Sequence, residues 1–330
     1  MKVIIHQIKD DIKFSVIIPV YNAAKYVTQA VESALQQPET GEVLLIEDGS
    51  PDQSLQVCKK LASESTKVML LQHSDGKNHG AGASRNLGIK NARFEFIAFL
   101  DADDYYLPGR FSVAGQIFDA DLQTEGVYEA VRVHFENKAA EKLWGRNNRP
   151  LLITIPEQVP PDCLFESQSP VGKYLHCQTS GWVVRKTVFE KSGLFDEHLR
   201  LHEDTVMFAK FAAVGKMLPG RLDEPVAMRR VHNNNIKFAS KSVVEVYKNR
   251  ILMWSTLWEW GSRNLCNSRQ RLLLRRFIRY AVKPYTNKDA WLSRRIQSIR
   301  QLKLLVFKYP GLLSEFVFWK ELLLLTPYAK

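Results

Sequence analysis

The chain of 330 residues, 45% hydrophobic and 25% charged, has the composition of a folded globular protein and the length for one large α/β domain with an appendage, or two domains. No apolar run reaches the ~18 residues of a membrane-spanning helix. The start MKVIIHQIKDD lacks a secretory leader pattern, and the four dispersed cysteines form no CxxC pair, so neither a zinc site nor a disulfide framework is indicated and a cytoplasmic location is expected.

The net charge of +11 is uneven. Residues 241–330 hold 18 Lys and Arg against 5 Asp and Glu, an excess of 13 that leaves the first 240 residues at −2. The basicity belongs to the tail and points to an anionic partner there. Two regions are therefore expected, 1–240 and a basic helical region at 241–330.

Taken in order, 14–20 (FSVIIPV) reads as a buried strand, and Tyr21-Asn22 opens a loop. A helix is expected over 24–36 and a strand over 42–47, closed by Asp48-Gly49. Ser50 as cap, Pro51 at the first helical position and Gln53 predict a helix to 64. A strand at 68–72, a glycine-rich turn at 76–82, a helix at 83–92 and a strand at 94–100 follow. Strands alternating with helices at this spacing predict a parallel sheet with right-handed crossovers, which brings Tyr21, Asp48, the Gly80 loop and Asp101 to one rim.

Further on, a helix is expected over 108–122, one alternating strand over 127–135 and a proline-rich loop or lid over 137–173. A strand at 179–185, a helix at 203–213 ending at Gly215, and a strand at 226–231 complete the first region. Trp182 reads as packing. In the tail, 269–283 and 312–325 read as amphipathic or apolar helices, which either pack on protein or lie in a membrane interface.

The organising stretch is FIAFLDADD, residues 96–104. An apolar strand ends in three carboxylates within four positions, at the edge where open α/β sheets bind ligands. On an extended chain Asp101 and Asp103 would point to one side. Clustered carboxylates of this kind suit a divalent cation holding phosphate oxygens.

The segments FSVIIPVYN, EDGSPDQS, GAGASRNLG, DADD, FDEHLRLHED and RVHNNN, in this order over 14–235, resemble the glycosyltransferase family 2 enzymes of GT-A fold. That resemblance implies a Rossmann-like α/β domain and an inverting, metal-dependent transfer of a sugar from a nucleotide-diphospho-sugar, most often a UDP-sugar, to a hydroxyl of a glycan or lipid-linked acceptor. Position by position it implies that Pro19 lies among the nucleotide-sugar contacts, that Tyr21 and Asp48 serve the nucleotide base and that Arg85 serves the diphosphate. Asp101 and Ala102 would lie at the ribose or metal sphere, and Asp103 with His232 would hold Mn2+ or Mg2+. Asp204 would be the catalytic base, beside Glu203. Glu47 stands where an aspartate is common, and 137–173 follows no family pattern.

The chemistry reads the same way from the residues. Inverting transfer needs a base for the acceptor proton and a stabiliser for the departing diphosphate. Asp204, at a helix start, stays ionised in the field of the helix dipole. Two alternatives remain: a sugar-phosphate nucleotidyltransferase, and an inactive basic-tailed module binding nucleotide or lipid. The first would want a glycine-rich loop right after the first strand, where Val20-Tyr21-Asn22-Ala23 stands. A dehydrogenase is disfavoured because the glycine-rich loop follows the third strand instead of the first. The tail has too few regular aromatics for nucleic acid; an anionic membrane surface is its expected partner.

Overall fold

The computed structural model describes residues 12–145, 150–155, 159–175, 177–232 and 242–281, with the single positions 303, 306, 307 and 319. The chain divides into two units, Met1–Phe238 and Ala239–Lys330.

In the first unit β1 (Phe14–Val20), α1 (Val27–Leu35), β2 (Thr40–Glu47), α2 (Ser54–Glu64), β3 (Val68–Gln72), α3 (Ala81–Asn91) and β4 (Phe96–Phe99) alternate. Then come β5 (Tyr105–Tyr106), α4 (Ser112–Ala120), β6 (Gly126–Tyr128), β7 (Val131–Phe135), α5 (Lys138–Gly145), β8 (Leu152–Ile153) and α6 (Leu164–Ser167). The unit ends with β9 (Trp182–Arg185), α7 (Val188–Ser192), α8 (Glu203–Val214), β10 (Met217–Pro219) and β11 (Ala227–Val231).

Seven strands form the main sheet in the order β10-β6-β9-β4-β1-β2-β3, and β5-β11-β7-β8 form a second. β1 pairs in parallel with both β2 and β4. Its residues Val16, Ile17 and Ile18 and the β2 run Val43 to Ile46 are wholly buried, because helices cover both faces of such a sheet. Each of these side chains contributes roughly 1.5–3 kcal/mol relative to exposure. Successive crossovers place β2 and β3 on one side of β1 and β4 on the other, so the connections diverge beyond the C-terminal ends of β1 and β4. That is the position at which open α/β sheets bind ligands.

Several expectations are corrected. The stretch 127–135 is two strands in different sheets, split at the buried Glu129, whose Oε2 accepts from Arg110 Nη1 at 2.6 Å. β6 is buried throughout whereas β7 exposes Arg132, so the single wet face expected of the whole stretch belongs to β7 alone. β9 runs antiparallel to β4 and β6, between which it lies in the sheet. Ser50 is not a helix cap: its N–H donates to Glu47 Oε1 and its Oγ accepts from Asn22 N–H. α2 begins at Ser54, whose N–H and hydroxyl both donate to Asp52 Oδ1.

The region expected to be a lid contains α5, β8 and α6, and Ala140, Trp144 and Ile153 join Val133 and Val231 in a small satellite core. Trp182 is wholly buried and stacks on Phe208 at 4.8 Å, as expected of a packing residue.

In the second unit α9 (Val243–Asn264) and α10 (Asn267–Ala281) form a hairpin. Gly261 lets the helices approach, since a Cβ there would lie 2.5 Å from Leu273 Cδ2. On α10, Leu273, Leu274, Phe277 and Ile278 are buried while Arg271, Arg275, Arg276 and Arg279 are exposed, which is the amphipathic division expected of the segment. Apart from the single position 319, the expected helix at 312–325 lies outside the described residues, as do Asn233 to Asn235. Among the described residues no helix is long and apolar enough to cross a membrane.

Candidate active site

β4 hands the chain into a turn. Leu100 N–H still donates to Ile17 O (3.1 Å), and Asp104 N–H then donates back to Asp101 O (3.0 Å). This turn overrides the expectation of an extended Asp101-Ala102-Asp103. Asp101 and Asp103 have different partners: Asp101 Oδ1 accepts from Arg85 Nη2 at 2.7 Å, and Asp103 Oδ2 lies 3.1 Å from His232 Nε2. Ala102 between them is buried.

Asp104, given no role from sequence, is buried and structural. It accepts from Arg230 N–H (2.9 Å) and Ser180 Oγ (3.2 Å). Burial, then the charges of Asp103 and Asp101, push its carboxyl well above the usual range. Arg230 also donates from Nε to Asp103 O at 2.9 Å, and its guanidinium stacks over Tyr26 and Tyr105. It fixes the turn from β11, a role that nothing in its local sequence signals.

Arg85 is the centre of the arrangement. It sits in the second turn of α3, only 3% exposed, and bridges Asp101 to Glu203, whose Oε1 accepts from Nη1 at 3.0 Å. Burial works against its charge, yet Asp101, Glu203 and Asp204 together raise the guanidinium pKa above its ordinary value. Sequence reading gave Arg85 to a diphosphate; in the structure it pairs with two carboxylates. The bridge ties the N-terminus of α8 to the aspartate turn.

α8 starts abruptly, because His202 takes a left-handed conformation (φ 67°) and turns the chain into the helix. Glu203 and Asp204 occupy its first turn, where the dipole favours negative charge. Burial and then the neighbouring charge of Asp204 raise the Glu203 carboxyl, with Arg85 opposing them. Asp204 is half-buried, and its Oδ1 accepts from Thr205 N–H at 2.6 Å.

At the other wall, Asp48 N–H donates to Val20 O (2.9 Å), which ties the ends of β1 and β2. Its carboxylate accepts from His79 N–H (2.7 Å), Gly80 N–H (2.8 Å) and Asn78 Nδ2 (2.9 Å), so it organises the loop before α3. Gly49 (φ +67°) has to lack a side chain, since a Cβ would lie 2.8 Å from Gly76 O. Tyr21 is 51% exposed at this rim, and Pro19 is half-buried within β1. His232 packs on Tyr26 with ring centroids 4.8 Å apart, and Tyr26 Oη donates to Glu136. Tyr26, Glu136, Asn78 and Arg230 all escaped the sequence reading, because each acts through a partner distant in the chain.

The family model for Glycosyl transferase family 2 matches residues 15–193, more than half of the chain. The chain belongs to glycosyl transferase family 2. Among relatives in this family, it is 32% identical over 213 residues to the minor teichoic acid biosynthesis protein GgaA of Bacillus subtilis (strain 168), a match covering 59% of this chain and 42% of GgaA. It is 42% identical over 97 residues, 28% of this chain and 16% of the relative, to the poly(ribitol-phosphate) beta-N-acetylglucosaminyltransferase TarS of Staphylococcus aureus (strain Mu50 / ATCC 700699). The chain thus spans less than half the length of either relative.

A crystal structure of S. aureus TarS 1-349 in complex with UDP-GlcNAc superposes with a TM-score of 0.61 at 21% identity, covering 88% of this chain and 79% of that one. The GT-A fold expected from the sequence is therefore the fold observed: a mostly parallel central sheet with a helical C-terminal region.

Proposed function

We propose that this chain is an inverting glycosyltransferase that moves a sugar from a UDP-sugar to a hydroxyl of a glycan or lipid-linked acceptor. The observation that carries the reading is the Arg85 bridge, which joins the aspartate turn at the end of β4 to the carboxylate pair opening α8. Family membership supports sugar transfer. The UDP-GlcNAc complex of TarS and the names of the relatives favour UDP as carrier, an N-acetylhexosamine as the sugar and a teichoic-acid-like polymer as acceptor.

Asp204 is the base in this reading. Glu203 is committed to Arg85, whereas Asp204 is half-exposed in the first turn of α8, where the helix dipole favours negative charge. It takes the acceptor hydroxyl's proton as the oxygen attacks the anomeric carbon, and the nucleoside diphosphate leaves. Arg85 and Glu203 position that carboxylate and hold Asp101 at the donor side.

A divalent cation fits the residues present. Asp103 and His232 offer an oxygen and a nitrogen 3.1 Å apart, whereas Asp101 is occupied by Arg85 and Asp104 is buried in backbone and serine bonds. Among the described residues no three acidic, histidine or cysteine side chains form a metal cage. Two protein ligands suffice where substrate phosphates and water complete the shell of Mn2+ or Mg2+. When bound, the ion supplies positive charge to the departing diphosphate.

A thermal-shift panel of UDP, GDP and dTDP with and without Mn2+ tests the reading, because a ligand of the folded state raises the melting temperature by mass action. Metal-dependent stabilisation by UDP alone is expected. Equal response to all three, or to none, would reject it.

A further inference from the structure

Arg200 lies in the exposed segment that delivers α8, yet its side chain reaches back to the loop before α3. Its Nη1 donates to Asn78 Oδ1 at 3.1 Å and its Nη2 to Asn78 O at 3.3 Å. A guanidinium has donors only, so it fixes which way the Asn78 amide points. With the amide oxygen turned to Arg200, Nδ2 faces Asp48, donating to Asp48 Oδ2 at 2.9 Å and to Asp48 O at 3.2 Å. The flipped amide would set an oxygen against that carboxylate.

Gly80 makes room for this contact. Its φ is +91°, and a Cβ there would stand 2.5 Å from Arg200 Nη1. Its N–H meanwhile donates to Asp48 Oδ2 at 2.8 Å. One arginine thus ties the loop that cradles Asp48 to the segment that leads, three residues later, into Glu203 and Asp204.

We infer that Arg200 is a positioning residue for the nucleoside-diphosphate half of the donor site, acting through the Asn78 amide and Asp48; this rests on the donor reading above. It acts by preorganisation: a loop held in its binding shape loses less freedom when the nucleotide arrives. The contact is made at the exposed rim, so the fold does not depend on it.

The test is calorimetric titration of UDP into the full chain with Mg2+ present. R200A is expected to bind UDP about tenfold more weakly, the worth of losing two hydrogen bonds of which one is to a side chain, with an unchanged melting temperature. R200K restores part of the affinity, because the ammonium keeps a donor for Asn78 but lacks the planar fork that spans its two oxygens. N78A weakens binding similarly, and the R200A/N78A double variant binds no more weakly than N78A alone, since the two act as one unit. Wild-type affinity in R200A overturns the inference. Additive losses in the double variant also overturn it, because they would make Arg200 a direct ligand contact. Absence of UDP binding by the wild-type chain removes the donor reading itself, and this inference with it.

Discussion

Replacing Arg85 by Met keeps the bulk of the side chain and removes the charge that two carboxylates share. Breaking a buried ion pair by deleting one partner costs roughly 3–5 kcal/mol. Here the side chains of Asp101 and Glu203 keep 29% and 13% exposure. Water therefore recovers part of the loss, and about 3 kcal/mol is expected. For a unit of this size that lowers the melting temperature by roughly 6–12 °C.

The loss has a defined pH dependence. Glu203 already titrates above its ordinary range in the folded chain, so its ionisation opposes folding. That penalty is absent below the unfolded value, about 4.3, grows as pH rises and is complete above the folded value. Removing Arg85 raises the folded value further, so the deficit of R85M should be largest at neutral pH and shrink on acidification. Melting curves of both proteins at about pH 5 and about pH 7.5 measure this, and R85M/E203Q should recover much of the neutral-pH deficit. A deficit that is constant with pH, or larger in acid, refutes the picture of Arg85 as the cation restraining Glu203.

Asp204→Asn should lower the transfer rate by about 10²–10⁴-fold, the usual worth of a general base, while UDP affinity holds; undiminished turnover rejects the assignment. Arg110→Met leaves the wholly buried Glu129 with Arg221 alone, 3.7 Å away, and should cost about 3 kcal/mol in urea unfolding, most of which R110M/E129L regains; equal losses in both would show that packing, not charge, governs the pair. Ser242→Ala removes the cap whose Oγ accepts from Glu245 N–H at α9 and should cost about 1 kcal/mol, visible as lost helical dichroism in the tail. The exposed arginines of α10 should draw the chain to anionic vesicles at about 1 kcal/mol each near the surface, and flotation that ignores lipid charge would remove the membrane from its partners.

The alternation of apolar runs and helical periods determined the β1-to-β4 core, because strands buried on both faces need continuous apolar sequence and crossovers need helices between them. It also placed Asp48, Asp101, Asp103, Asp204 and His232 at or next to strand and helix ends, the edge where open α/β sheets bind ligands. Tertiary structure decided everything that depends on long-range approach. The division of 126–135 between two sheets turns on Arg110 meeting Glu129. The bridging place of Arg85 turns on α8 docking beside β4, and the tie from Arg200 to Asn78 spans more than a hundred residues. Local sequence carries periodicity and turn chemistry. Which charges neutralise one another depends on a three-dimensional path that neither encodes by itself.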